Sequence, residues 1–144
     1  MTTAVFVLDA SVTIRWALRD GSPADRVYAD RVLDSFHAAS ALVPALWYTE
    51  TIHVLRGYEE AGKMGEAALA AFVYWLGQLP IQLDLASPAA TQLAVAATSR
   101  QFNLSGYDAQ YLELAGRRNL PIATLDRDLR RAAKKAGIAL YRMP

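Results

Sequence analysis

Apolar runs too short for helices alternate along this chain with longer stretches in which apolar residues recur every three to four positions. The first run, Val5-Phe6-Val7-Leu8, is continuous rather than alternating, as in a strand covered on both faces of a parallel sheet. Val12 to Leu18 then reads as a short helix, broken at Asp20-Gly21. Ser22-Pro23 opens a second helix to about Ala39, with Ser as its cap and Pro in its first turn. Ala41-Leu42-Val43 is a second brief run, and Pro44 leads into a helix from Ala45 to about Tyr58. Glu66 to Leu76 is apolar almost all round, which predicts a buried helix, in this chain's own core or against a second subunit or partner. Ile81 to Leu85 alternates, as an edge strand does, and leaves Asp84 pointing to solvent. Ser87-Pro88 starts a helix to about Phe102, and Ser105 starts another that closes at Asn119. Leu120 to Leu125 is a strand with Pro121 near its start, the segment after Asp126 is helical to Ala136, and Ile138 to Tyr141 forms a last strand. Strands separated by helical stretches imply right-handed crossovers. The expected fold is therefore α/β, three layers, with a parallel sheet between helices.

At 144 residues the chain is the size of one domain, and residues 1–144 are read as a single one. Hydrophobic residues make up 53% and charged residues 20%, too apolar for disorder. No cysteine is present, which excludes disulfides and thiolate metal sites and fits a reducing cytoplasm. The N-terminus has no basic segment ahead of its apolar run, and no run is long enough to span a bilayer, so no membrane association is expected. Net charge is only +1, but it is unevenly divided. Residues 100–144 carry nine Lys/Arg against four Asp/Glu, with Arg127, Arg130, Arg131, Lys134 and Lys135 crowded together, which permits a polyanionic partner.

Four carboxylates stand where chemistry is expected. Asp9 follows the first strand directly, and in open α/β sheets ligands bind beyond the carboxyl ends of the strands. Capping of the next helix by Asp9 or Ser11 explains the same pattern. Glu50 shares a helix face with Leu46, Trp47 and Val54, out of place for a solvated acid. His53 makes a single Glu-x-x-His with it, whereas di-iron bundles need that motif twice. Asp108 lies three residues after Ser105, as in a capping box, yet stacks under Tyr111 and Leu112 and so faces inward. Asp126 repeats the Asp9 arrangement at the end of the fourth strand, while Asp128 is explained by the helix dipole. The topology can gather Asp9, Glu50, Asp108 and Asp126 at one sheet edge. Four neighbouring carboxylates repel, and a divalent cation resolves the repulsion; oxygen-only ligands suit Mg²⁺ or Mn²⁺, which activate water for attack on phosphodiesters.

At these residues the chain resembles the PIN-domain nucleases, in particular the toxins of VapBC-type toxin–antitoxin pairs. The segments that carry the resemblance are Val7-Leu8-Asp9-Ala10-Ser11, Pro44 through Glu50, Ser105-Gly106-Tyr107-Asp108-Ala109 with Tyr111-Leu112, and Thr124-Leu125-Asp126 with Leu129. The resemblance implies a five-stranded parallel sheet, Mg²⁺-dependent cleavage of RNA, and a homodimer inhibited by a cognate antitoxin. It makes Asp9 and Asp108 the leading metal ligands, Glu50 and Asp126 completing ligands directly or through water, and Ser11 and Thr124 orienting hydroxyls. His53 departs from it, since the family often has Asn three residues after the helical Glu. A haloacid-dehalogenase-type phosphatase would want a second Asp where Ser11 stands. A catalytically silent binding module of the same fold is the other alternative.

Overall fold

The computed structural model describes residues 3–143. Its elements in chain order are β1 (Ala4–Leu8), α1 (Ala10–Ala17), α2 (Pro23–Asp34), a 3-10 turn (Ser35–His37), β2 (Ala39–Val43), α3 (Leu46–Glu60), α4 (Glu66–Leu76), β3 (Ile81–Leu83), α5 (Pro88–Phe102), α6 (Gly106–Arg118), β4 (Ile122–Ala123) and α7 (Arg127–Lys135). The sheet runs β3-β2-β1-β4 with every pairing parallel, so the Asp9 strand is central. Phe6 and Val7 project to opposite faces of β1 and are both fully buried, so the sheet is covered on both sides. On the Phe6 face the Tyr141 ring stacks at 3.9 Å, with Phe36 next to it. Among the described residues no helix is long and apolar enough to cross a membrane.

The caps agree with the sequence reading. Ser22 accepts the Asp25 N–H at 3.1 Å and Ser105 the Asp108 N–H at 3.1 Å, while Asn103 and Asn119 end α5 and α6 in left-handed conformations. One boundary moves. α2 stops at Asp34 because the Ser35 hydroxyl turns back on the Val32 carbonyl at 2.7 Å, and Ala39 already belongs to β2.

One expectation is corrected and one is narrowed. The described residues form four strands rather than five. The segment Ile138–Tyr141 lies beside β4 but contributes only a single parallel bridge, Ile122 to Leu140, with Ile122 bonded to the Ala139 carbonyl and the Tyr141 N–H. β4 is itself two residues long, beginning after Pro121, and offers too short a ladder for a further strand. The apolar helix α4 is not buried in this chain's own core, one of the two covers expected for it. Leu76 alone is buried, Phe72 and Trp75 pack partly on the core, and Val73 and Tyr74 are 42% and 74% exposed. β3 is the last strand on that side, so the sheet supplies nothing to cover the outer face of α4. On α5 no residue is buried and Leu93 is 86% exposed.

Candidate active site

All strands are parallel, so the exits of β1 and β4 lie at one edge, together with the helices that follow them. Asp9 leaves β1 there and occupies the N-cap position of α1, but its side chain caps no backbone N–H of that helix. Its carboxylate turns inward. Oδ2 accepts the Ser11 hydroxyl at 2.6 Å and the Thr124 hydroxyl at 2.7 Å, and the residue is 5% exposed. The capping explanation therefore fails for Asp9. Burial pushes its carboxyl up to about 6; the two hydroxyls pull the other way, and the charges of Glu50 and Asp126 add to the rise.

The hydroxyls that reach Asp9 also shape the β4 exit. Ser11 Oγ accepts the Leu125 N–H and Thr124 Oγ1 the Asp126 N–H, each at 3.0 Å. Asp126 in turn caps α7, its Oδ1 accepting the Leu129 N–H at 2.9 Å. Asp126 is thus a cap whose charge still reaches Asp9 and Asp108. Asp128 is exposed and paired with Arg131 at 2.9 Å, as its place in the first turn suggests.

Glu50 on α3 is half-buried, and Tyr111 of α6 donates its phenol hydrogen to Oε1 at 2.5 Å. Burial raises the Glu50 carboxyl above its ordinary range, Tyr111 lowers it, and Asp108 raises it again. Asp108 forms half of a capping box, since its N–H goes to Ser105 while its carboxylate bears on the acidic cluster. Burial, then the charges of Asp126, Asp9 and Asp128, push it up to about 6 against the easing effect of Ser105.

The four acids expected at the site are thus brought within electrostatic reach of one another. Among the described residues, however, no three acidic or histidine side chains converge into a group that could hold a metal ion as they stand. The chemistry of the set nonetheless fits a hard cation: its donors are all oxygen, and burial together with the charges of neighbouring acids keeps two of the carboxyls protonated toward neutral pH. Arg130, counted among the basic residues of α7, is engaged within the protein. Its Nε donates to the Thr124 carbonyl at 2.7 Å and its guanidinium lies 5.1 Å over the Tyr28 ring. Asp84 is not solvated, as its alternation suggested. Burial raises its carboxyl, but Arg117 at 2.6 Å, the Ala86 N–H and Arg118 together hold it below the ordinary range.

In the sequence Tyr111 stood out as a neighbour of Asp108 and as part of the resemblance, with no role of its own; its hydroxyl, reaching across to another helix, carries no local signal. His53 is exposed on α3.

A family model described as PIN domain matches residues 6–135. Among solved structures the chain is similar to the crystal structure of PAE2754 from Pyrobaculum aerophilum, with a TM-score of 0.67 and 20% identity over 92% of this chain and 87% of that one, which speaks to the fold alone. No curated protein matches the sequence.

Proposed function

From the premise that the chain belongs to the PIN-domain family, whose fold is generally that of a nuclease, we propose that it is a metal-dependent ribonuclease acting as the toxin of a toxin–antitoxin pair. The observation that carries the reading is the state of Asp9, buried at the end of the central strand, held by two hydroxyls instead of capping its helix, and coupled to Glu50 and Asp126. Asp9 and Asp108 would hold Mg²⁺ or Mn²⁺, with Glu50 and Asp126 binding directly or through water. When bound, such a cation supplies positive charge to the phosphodiester and lowers the pKa of a coordinated water.

The chain's own residues do the remaining work. Ser11 and Thr124 fix Asp9, Tyr111 fixes Glu50, and the cap on α7 fixes Asp126. Arg127, Lys134 and Lys135 are exposed on α7, the helix that begins at Asp126, and would take the phosphates of a single-stranded RNA. The uncovered apolar residues of α4 and of α5, Tyr74 and Leu93 foremost, support a homodimer or a cognate antitoxin. A cytoplasmic location belongs to the same proposal.

The test is cleavage of defined single-stranded RNAs by purified protein in Mg²⁺, in Mn²⁺ and in chelator. Cleavage should need the metal and should vanish in Asp9→Asn and Asp108→Asn, each still folded. Activity within about tenfold of wild type in both variants, or undiminished in chelator, would overturn the assignment. A folded protein that binds RNA and metal but cuts nothing would instead be the silent binding module.

A further inference from the structure

Pairing of β4 with the C-terminal segment stops at Ile122, whose N–H donates to the Ala139 carbonyl and whose carbonyl accepts the Tyr141 N–H. The next rungs of a parallel ladder would bring the Thr124 N–H to the Tyr141 carbonyl and the Met143 N–H to the Thr124 carbonyl. Side chains hold both carbonyls instead. Tyr28 donates its phenol hydrogen to the Tyr141 carbonyl at 2.9 Å, and Arg130 Nε donates to the Thr124 carbonyl at 2.7 Å. The two side chains also rest on each other, with the Arg130 guanidinium 5.1 Å over the Tyr28 ring. Burial pushes the Tyr28 phenol up to about 12 against the pull of Arg130 and Arg142, so it keeps the hydrogen it donates.

The Thr124 carbonyl belongs to the same planar peptide as the Leu125 N–H. Arg130 grips one side of that plane and Ser11 the other, its Oγ accepting the N–H at 3.0 Å. A hydroxyl that accepts there has its single hydrogen left for Asp9, 2.6 Å away, and the Thr124 hydroxyl reaches the same oxygen at 2.7 Å. Thr124 is fully buried, so a carbonyl that loses Arg130 turns in search of a partner and carries the Leu125 N–H with it. Resting on the ribonuclease reading, we propose that Arg130 is a positioning residue for the reaction: stacked on Tyr28, it fixes the Thr124–Leu125 peptide and, through it, the two hydroxyls that orient Asp9.

Arg130→Met keeps the stem without the donor, and Arg130→Lys restores a donor. In the Mg²⁺-dependent RNA assay Arg130→Met should lower kcat by about tenfold with KM within about twofold of wild type, and Arg130→Lys should recover most of the loss. Amide hydrogen exchange in chelator reads the same peptide without turnover. The Leu125 N–H of Arg130→Met should exchange about tenfold faster than in wild type, while Phe6 and Val7 of the central strand keep their rates. Tyr28→Leu, which removes the ring beneath the guanidinium, should move both readouts the same way and answers the question if Arg130→Met does not fold. A wild-type kcat in Arg130→Met, or an unchanged Leu125 exchange, overturns the inference while the ribonuclease reading stands. Equal acceleration at Leu125, Phe6 and Val7 means that Arg130 serves only general stability, and overturns it too. A wild type that cuts no RNA overturns the ribonuclease reading, and exchange at Leu125 then decides alone whether Arg130 fixes the peptide.

Discussion

Replacing Asp9 by Asn should make the metal-free protein more stable at neutral pH, by an amount that vanishes in acid. The Asp9 carboxyl is raised from 3.8 to about 6, chiefly by burial, so the folded chain holds this proton more tightly than the unfolded chain does. Where the folded state binds more protons, stability falls as pH rises. The contribution is therefore fully present below 3.8 and is lost as pH climbs through about 6. At 1.36 kcal/mol per unit the loss is about 3 kcal/mol. Asp108, raised to about 6 but half-exposed, adds to the slope with the same sign. Asp84 acts in the opposite sense and in another window, because its carboxyl is held low and its stabilising effect disappears only as pH drops below 3.8. Urea denaturation in chelator, from about pH 4 to about pH 7.5, measures the effect. Wild type should lose stability across that range and Asp9→Asn much less, so that the variant leads by up to about 3 kcal/mol at the upper end. Saturating Mg²⁺ should reverse the order, since a thousandfold excess over Kd adds about 4.1 kcal/mol to a protein that binds it and little to one that does not. Parallel curves for the two proteins, or a wild type that gains stability between pH 4 and pH 6.5, would refute the argument that Asp9 sits desolvated among like charges.

Two further outcomes follow from the surface. Replacing Lys134 and Lys135 by Ala should flatten the plot of log RNA affinity against log salt by up to about 1.4, whereas Arg130→Ala, whose guanidinium is committed to Thr124 and Tyr28, should leave that slope in place; an equal change in both would return Arg130 to the phosphate contacts. Tyr74→Glu with Leu93→Glu should shift the protein toward monomer in light scattering at micromolar concentration, and a wild type already monomeric there would remove the homodimer from the reading.

Much of the fold was legible because it rests on local signals. Ser22-Pro23, Ser105, Asn103 and Asn119 mark helix ends through the bonds their own side chains or backbones make, and continuous apolar runs mark buried strands. The strand count was not legible. Ile138 to Tyr141 has the composition of a strand, but pairing depends on what the neighbour offers, and β4 offers two residues. What covers α4 was not legible for a related reason: an apolar helix seeks cover, but its sequence does not say whether this chain supplies it. At the site, the four acids were identified by their places after strands and on inward helix faces, yet the bonds that separate a cap from a constrained carboxylate are non-local. Thr124 lies 115 positions from Asp9 and Tyr111 lies 61 from Glu50, distances over which sequence pattern carries no geometry.

The direction of the hydrogen bonds around Asp9 decides what its substitution does. Backbone N–H groups only donate, so the Leu125 and Asp126 N–H bonds oblige Ser11 and Thr124 to accept there and leave each hydroxyl's single hydrogen for Asp9 Oδ2. The position must therefore present an acceptor to both hydroxyls. Asn satisfies the demand only with its amide oxygen on the Oδ2 side, which turns its NH₂ toward the space that Oδ1 occupied. That group donates and cannot ligate a cation, and as a neutral donor it is not repelled by the charges of Glu50 and Asp126 that act on this position. One substitution thereby keeps the β4 exit in place, relieves the repulsion that lifts the neighbouring acids, and removes the donor atom a metal would need. Higher stability and lost metal binding in Asp9→Asn are consequences of the same rotamer. Asp9→Ala does not separate them, because it strands two hydroxyl hydrogens beside a core strand and brings the cost of unpaired polar groups into the measurement.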